Sequence, residues 1–178
     1  MREVGRYKGK FLEMVTEEID LPNGATATLD LIRHPGASAV VPFLDDENVL
    51  LIRQYRHAAG GTILEIPAGK LEPNEPPETC AVRELEEETG WRAGRIEKLG
   101  SILTTPGFTD EKIHLYAAFD LTQVGAALEE DEIIEAAPMS LADALSLIWS
   151  GELTDAKSVV ALLQAAKLTG QLDGRANR

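Results

Sequence analysis

Apolar positions in the first half of the chain come in short runs divided by turn residues, a pattern that predicts strands. Residues 8–20 read as one strand ending at the Leu21-Pro22-Asn23-Gly24 turn. Ala25 to His34 follows, with Ala25, Ala27, Leu29 and Ile32 as apolar points in a threonine-containing run, until Pro35-Gly36 breaks it. Ala37 to Leu44 reads as a buried strand. Asp45-Asp46-Glu47-Asn48 supplies a turn, Val49 to Tyr55 the next strand, and Ile63 to Ile66 another after Gly60-Gly61. Pro76-Pro77 then opens a helix of about three to four turns that stops near Gly90. Strands return near residues 94–104 and 111–119.

The last third reads as helical. Ser140 and Asp143 fit a capping box in front of Ala144 to Trp149. Asp155 is placed to cap a second helix through Leu168, whose Val159, Val160, Leu162, Leu163 and Ala166 form a broad apolar face. From Thr169 onward the chain is polar and reads as a frayed end. Strands, one helix, more strands and then helices predict a mixed sheet sandwiched by helices, without an internal repeat or linker.

Composition narrows the function. At 178 residues, 44% apolar and 26% charged, this is ordinary globular usage with enough chain for one sizeable core. The net charge of −13 argues against a basic surface that tracks nucleic acid and against binding to anionic membranes. An anionic substrate would need local cations, either arginines or a metal. Cys80 is the lone cysteine, so neither an intrachain disulfide nor a multi-cysteine zinc site can form. The N-terminal MREVGRYKGK has no apolar core of a signal peptide, and the most apolar stretch, Ala37 to Leu44, is too short to span a bilayer. The chain reads as soluble and cytoplasmic.

The informative segment runs from Gly69 to Trp91. Within its helix, Glu84, Glu86, Glu87 and Glu88 put four carboxylates into five positions. Glu84 shares a face with Glu87 and Glu88 at i+3 and i+4, while Ala81, Val82 and Leu85 lie towards other faces and can anchor the helix. A solvated acidic face is the plainer reading of a charge run. It is weak here because Arg83 is the only cation inside the helix, and like charges at this spacing cost a few tenths of a kcal/mol per pair. A hard divalent cation with oxygen ligands, Mg²⁺ or Mn²⁺, would remove that cost.

Gly69, Glu75, Arg83, Glu84, Leu85, Glu87, Glu88, Gly90 and Trp91 match every fixed position of the Nudix box, G-x5-E-x7-R-E-U-x-E-E-x-G-U. Trp91 is bulkier than the aliphatic residue usual at the last position, which bears on packing more than on chemistry. The chain therefore resembles the Nudix hydrolases. The resemblance implies an α/β/α sandwich around a mixed β-sheet, here with an extra N-terminal β-strand region over residues 1–36 and the hydrolase domain over 37–178. It implies Glu84 and Glu88 as direct metal ligands, Glu87 sharing metals in the same cluster, and Arg83 orienting the glutamates through charge-assisted hydrogen bonds. Ala68 matches the position whose backbone carbonyl completes the metal shell. Capping and helix-dipole roles remain open for Glu75 and are preferred for Glu78.

Three features outside the box resemble the ADP-ribose pyrophosphatase subfamily. Thr105-Pro106-Gly107-Phe108-Thr109-Asp110-Glu111 is similar to its S-P-G-F-S-D-E segment, which implies substrate contacts at Pro106, Gly107 and Glu111; a plain Pro-Gly turn is the alternative. Arg53-Gln54-Tyr55-Arg56 is similar to its R-Q-Y-R, with Arg56 matching the arginine that contacts phosphates and Arg53 a second candidate. Glu129-Glu130-Asp131-Glu132 is similar to its late E-x-E: Glu130 matches the general base and Glu132 an added metal contact, with Glu129 and Asp131 as alternatives. The start of the last helix, Gly151 to Lys157, also matches, although its spacing supports only a cap.

The resemblance implies Mg²⁺-dependent hydrolysis of ADP-ribose to AMP and ribose 5-phosphate, and a homodimer in which residues from the N-terminal strands reach the partner's site. Rival readings are a pyrophosphatase of another nucleoside diphosphate sugar, such as GDP-mannose or a UDP-sugar, and a non-catalytic nucleotide sensor. Sensors typically lack one or more box glutamates, and here all are present.

Overall fold

The computed structural model describes residues 1–10, 12–127 and 133–172. Strands β1 (Arg2–Lys8), β2 (Glu13–Asp20) and β3 (Thr26–Arg33) form an antiparallel sheet of their own in the order β1-β2-β3. The predicted strand over 8–20 is β2, shortened to Glu13–Asp20, and β1 before it was not predicted; the chain turns between them after Gly9, whose N–H donates to the Leu12 carbonyl at 2.8 Å.

β4 (Ala37–Pro42) is buried along its whole length and forms the centre of the domain. It pairs in parallel with β10 (Lys112–Phe119) and antiparallel with β7 (Ala68–Lys70), and β10 pairs in turn with β9 (Arg95–Leu103). A second sheet sets β5 (Asn48–Arg56) between β6 (Gly61–Glu65) and β12 (Ile134–Ser140), and the short β8 (Trp91–Arg92) and β11 (Thr122–Gln123) pair with each other as a separate two-stranded sheet.

Alternation along β4 explains the layers. Ala37, Ala39 and Val41 face a large cluster with Leu51, Ile66, Leu115 and the helix residues Leu141, Ala161 and Leu162, whereas Val40 faces Ala81, Leu85 and Tyr116. Helix α1 (Pro77–Thr89) therefore covers one face of the β4–β10 sheet, and α2 (Leu141–Ser150) with α3 (Ala156–Leu168) pack on the other side. This is the expected α/β/α sandwich around a mixed sheet. Burying a Leu such as Leu85 contributes about 1.5–3 kcal/mol.

The predicted caps are present. Ser140 Oγ accepts from Asp143 N–H at 3.0 Å, and Asp155 Oδ2 accepts from Ser158 N–H at 3.0 Å. Of the end predicted to fray, residues 169–172 are tied down and the rest lies outside the described residues: N–H groups of Thr169, Gln171 and Leu172 donate to Ala165 and Ala166 carbonyls, and the Gln171 side chain donates to the Asp46 carbonyl at 2.8 Å. The described residues contain no helix long and apolar enough to cross a membrane.

Candidate active site

Helix α1 is held at both ends by backbone chemistry. Pro77 at its first position has a φ already suited to a helix, and the Pro77 carbonyl accepts from Ser38 Oγ of β4 at 2.7 Å. At the other end Gly90 takes φ 74° and returns its N–H to the Glu86 carbonyl at 2.9 Å. A side chain there would be excluded twice, by the left-handed φ and by the backbone of Gly125 and Ala126, whose nearest atom a Cβ would meet at 2.6 Å. So fixed, α1 buries Cys80, Ala81 and Leu85 against the sheet and, on an adjoining face, Glu84 and Glu88.

Two largely buried carboxylates are expensive unless they are paired. Arg83 carries most of that load. Its Nη1 donates to Glu84 Oε1 at 2.7 Å and Glu87 Oε2 at 2.9 Å, its Nε to Glu75 Oε1 at 2.9 Å, and its Nη2 to Glu75 Oε2 at 3.1 Å and the Lys70 carbonyl at 3.2 Å. Glu88 Oε2 instead accepts from Ala68 N–H at 3.0 Å. Glu75 is thus the anchor of Arg83 and also closes the 72–75 turn by accepting from Glu72 N–H at 2.9 Å. The Arg83 hydrogen bonds hold the Glu75 carboxyl below its ordinary value, and the same partners raise the guanidinium further. Arg92 pairs with Glu86, outside this cluster.

Gly69 makes the arrangement possible. A Cβ on it would overlap the Glu84 carboxylate, so a bare backbone position lets that acid lie against β7. Cys80 Sγ donates to the Gly69 carbonyl at 3.5 Å from inside; burial, with the nearby Glu75 and Glu84 charges, pushes its thiol up to about 11.

These groups open onto a cleft of about 740 Å³. Its far lining comes from β5, β6 and the start of α3. Arg56 donates from Nε to Glu65 Oε1 at 2.8 Å and from Nη2 to Oε2 at 3.3 Å. Glu65 is also bonded to Lys157, whose Nζ reaches Asp155 Oδ2 at 3.0 Å. Burial alone would lower the Arg56 value, but the Glu65 bonds and charge overcome it and raise it. A third side of the cleft includes Glu111, which accepts from Thr104 Oγ1 at 2.7 Å and stands 3.4 Å from His34 Nε2.

Ala68, Arg83, Glu84, Glu87, Glu88, Arg56 and Glu111 therefore share one cleft, as their sequence positions suggested. Arg53, Pro106 and Gly107 are exposed and do not line it. Glu130 and Glu132, with the alternatives Glu129 and Asp131, lie outside the described residues. Sequence reasoning passed over Glu65, His34 and Lys157. A lone acid between Leu64 and Ile66 was the signal for Glu65; Lys157 was hidden in a segment read only as a cap.

Among the described residues no three His, Cys, Asp or Glu side chains already stand together as a metal cage. Glu84 and Glu87 turn to Arg83, and Glu88 to a backbone amide. The donor chemistry nevertheless fits a hard divalent cation: carboxylate oxygens beside a backbone cradle that a Cβ would fill.

Known proteins place this geometry in a family. A family model described as the NUDIX domain matches residues 33–162. An ADP-ribose pyrophosphatase of Bacillus subtilis (strain 168) is 41% identical over 158 residues, covering 88% of this chain and 85% of the relative. A GDP-mannose pyrophosphatase of Klebsiella pneumoniae subsp. pneumoniae is 31% identical over 186 residues, covering 99% and 86%. A crystal structure of an ADP compounds hydrolase superposes with a TM-score of 0.82 at 23% identity, covering 96% of each chain, which is a likeness of fold. The chain belongs to the Nudix hydrolase family, whose members generally use divalent metal ions.

Proposed function

We propose that this protein hydrolyses the pyrophosphate of ADP-ribose, with Mg²⁺ or in its place Mn²⁺, to give AMP and ribose 5-phosphate. The observation that carries the reading is a single cleft with an acidic wall on α1 and cations on β5 and α3. The 41% relative is named for that activity. Glu84, Glu88 and the Ala68 carbonyl are the groups that would hold the metal, with Glu87 sharing it and Glu132 adding a contact. The bound cation would neutralise pyrophosphate oxygens and make an attacking water more acidic.

The chain's own residues do the rest. Arg83 turns Glu84 and Glu87 into position, and Arg56 meets the substrate phosphates, while Arg53, outside the cleft, is given no contact. Glu130 accepts the proton of the attacking water, with Glu129 and Asp131 the neighbouring alternatives. Glu111 contacts substrate from the loop after β9, while Pro106 and Gly107, which stand outside the cleft, shape that loop rather than touch substrate. Residues 1–36 serve a homodimer: β1 to β3 expose Val4, Tyr7, Met14 and Leu29, with Tyr7 67% accessible. The lone buried thiol suits a cytoplasmic protein.

The second reading is GDP-mannose as preferred substrate, which the Klebsiella relative favours and the same metal core would serve. Separate incubation with ADP-ribose, GDP-mannose, UDP-glucose and NADH in Mg²⁺, with products resolved by chromatography, decides between them. AMP forming fastest from ADP-ribose, and absent with EDTA, is the expected result. Faster cleavage of another compound removes the substrate assignment, and binding without turnover of any of them removes the enzymatic one.

A further inference from the structure

Glu65 is 1% exposed, and its neighbours Leu64 and Ile66 are buried apolar residues. A carboxylate in that position is held in the core wall of the cleft, where an apolar residue would pack at lower cost. Its oxygens are instead spent on two cations that both line the cleft, Arg56 and Lys157. Behind them the bonds continue without a gap. Lys157 Nζ reaches Asp155 Oδ2 at 3.0 Å, Ser158 Oγ donates to the same oxygen at 2.5 Å, and Ile66 N–H donates to Ser158 Oγ at 2.8 Å. The network therefore starts and ends at the β6 terminus, one residue apart, and ties it to the capped start of α3.

Arg56 is the last residue of β5, on a side chain with several free torsions. Its Nε–Nη2 edge lies side-on against Glu65, which fixes the guanidinium plane and leaves the Nη1 group for an anion. A donor held in advance loses less freedom when ligand binds, so the gain falls on affinity.

We propose that Glu65 is a positioning residue that presets Arg56 for the pyrophosphate of the substrate, with Lys157 and Asp155 holding Glu65 from behind. This rests on the reading that Arg56 meets the substrate phosphates. It extends the phosphate site beyond the Nudix box to a carboxylate that touches no substrate.

The test is a double-mutant cycle on the full-length protein. Glu65→Gln should raise KM for ADP-ribose at least about tenfold while kcat changes less than about threefold, since positioning acts on binding. In an Arg56→Ala background the same substitution should change KM less than about twofold, because the group it positions is gone. Calorimetric titration with ADP-ribose in EDTA should reproduce the coupling without turnover. Equal fold-losses in both backgrounds, or a loss confined to kcat, would overturn the proposal. Where Glu65→Gln fails to fold, Glu65→Asp retains the buried charge and breaks the fork, and the same KM rise is expected; failure of both to fold would make Glu65 a core residue and overturn it too. If ADP-ribose is not cleaved but GDP-mannose is, the cycle is read on GDP-mannose, so that loss of the substrate assignment and loss of the positioning role give different results.

Discussion

The two charged walls of the cleft answer the cost of burying acids in opposite ways. On α1 one guanidinium, Arg83, serves Glu75, Glu84 and Glu87, while Glu88 leans on the Ala68 amide. Along β5, β6 and α3 two cations alternate with two acids, Arg56, Glu65, Lys157 and Asp155, in an unbroken line. The first wall keeps a surplus of negative charge that an added cation can balance. The second is neutral as a unit and complete within the protein. A pyrophosphate hydrolase needs both, one wall to be finished by metal and one to receive an anion without rearranging.

If the division is real, damage to the acidic wall should be the more severe. Glu84→Gln removes a carboxylate proposed to hold the metal, and metal stabilisation of transition-state charge is worth several kcal/mol. At about 1.36 kcal/mol per decade, kcat/KM should fall roughly a thousandfold or more. Gly69→Ala attacks the same acid from the backbone side, since its Cβ would overlap the Glu84 carboxylate. Displacement of a catalytic group by about 1 Å costs on the order of a hundredfold, and overpacking costs about 1–3 kcal/mol of stability. Steady-state kinetics with ADP-ribose and thermal unfolding read both. Losses below tenfold would mean that the α1 wall is not where the chemistry occurs.

The same contrast explains what could be read from the sequence. The acidic wall was legible because its residues sit within one helix and one turn, where spacing fixes which side chains share a face. Its caps and its Gly90 stop were legible for the same reason. Of the second wall only Arg56 was, through the Arg53-Gln54-Tyr55-Arg56 segment. Arg56, Glu65 and Lys157 come from three elements, and the β5–β6 register sets Glu65 opposite Ile52 and Arg56 opposite Gly61, so the long Arg56 side chain reaches back along the strands to Glu65, a contact that local sequence does not encode. β12 was hidden too: Ile134–Ser140 carries Ala136, Ala137 and Pro138, poor strand formers, and Pro138 is tolerated because β12 is the edge of its sheet. β1 was missed because Arg2–Lys8 is mostly polar and almost wholly exposed, so no buried face imposes an apolar alternation on it.

A divalent cation should separate the walls by stability alone. Ligand present at about a hundred times its dissociation constant adds about 2.7 kcal/mol. For a chain of this size that raises the unfolding midpoint by roughly 5–10 °C. Differential scanning fluorimetry with Mg²⁺ should show the shift in wild type, lose most of it in Glu88→Gln, and keep it in Lys157→Met, whose charge belongs to the second wall. A shift that disappears equally in all variants would place the cation elsewhere.

The smallest expected effect is on the acid limb of stability, and it isolates Arg83. Its hydrogen bonds hold the Glu75 carboxyl below the ordinary value of 4.5 in the folded chain. Folding therefore favours the ionised form, and that contribution is whole above 4.5. It is lost as pH falls through the lower folded value, where the protonated acid no longer accepts both Arg83 bonds. Urea unfolding in EDTA should thus show stability declining with acid in wild type. Glu75→Gln should be less stable at pH 7 and lose part of that slope, so that the two curves converge at low pH. Curves that stay parallel into acid would show that Arg83 gains nothing from the Glu75 charge, and that the acidic wall is organised by its remaining glutamates.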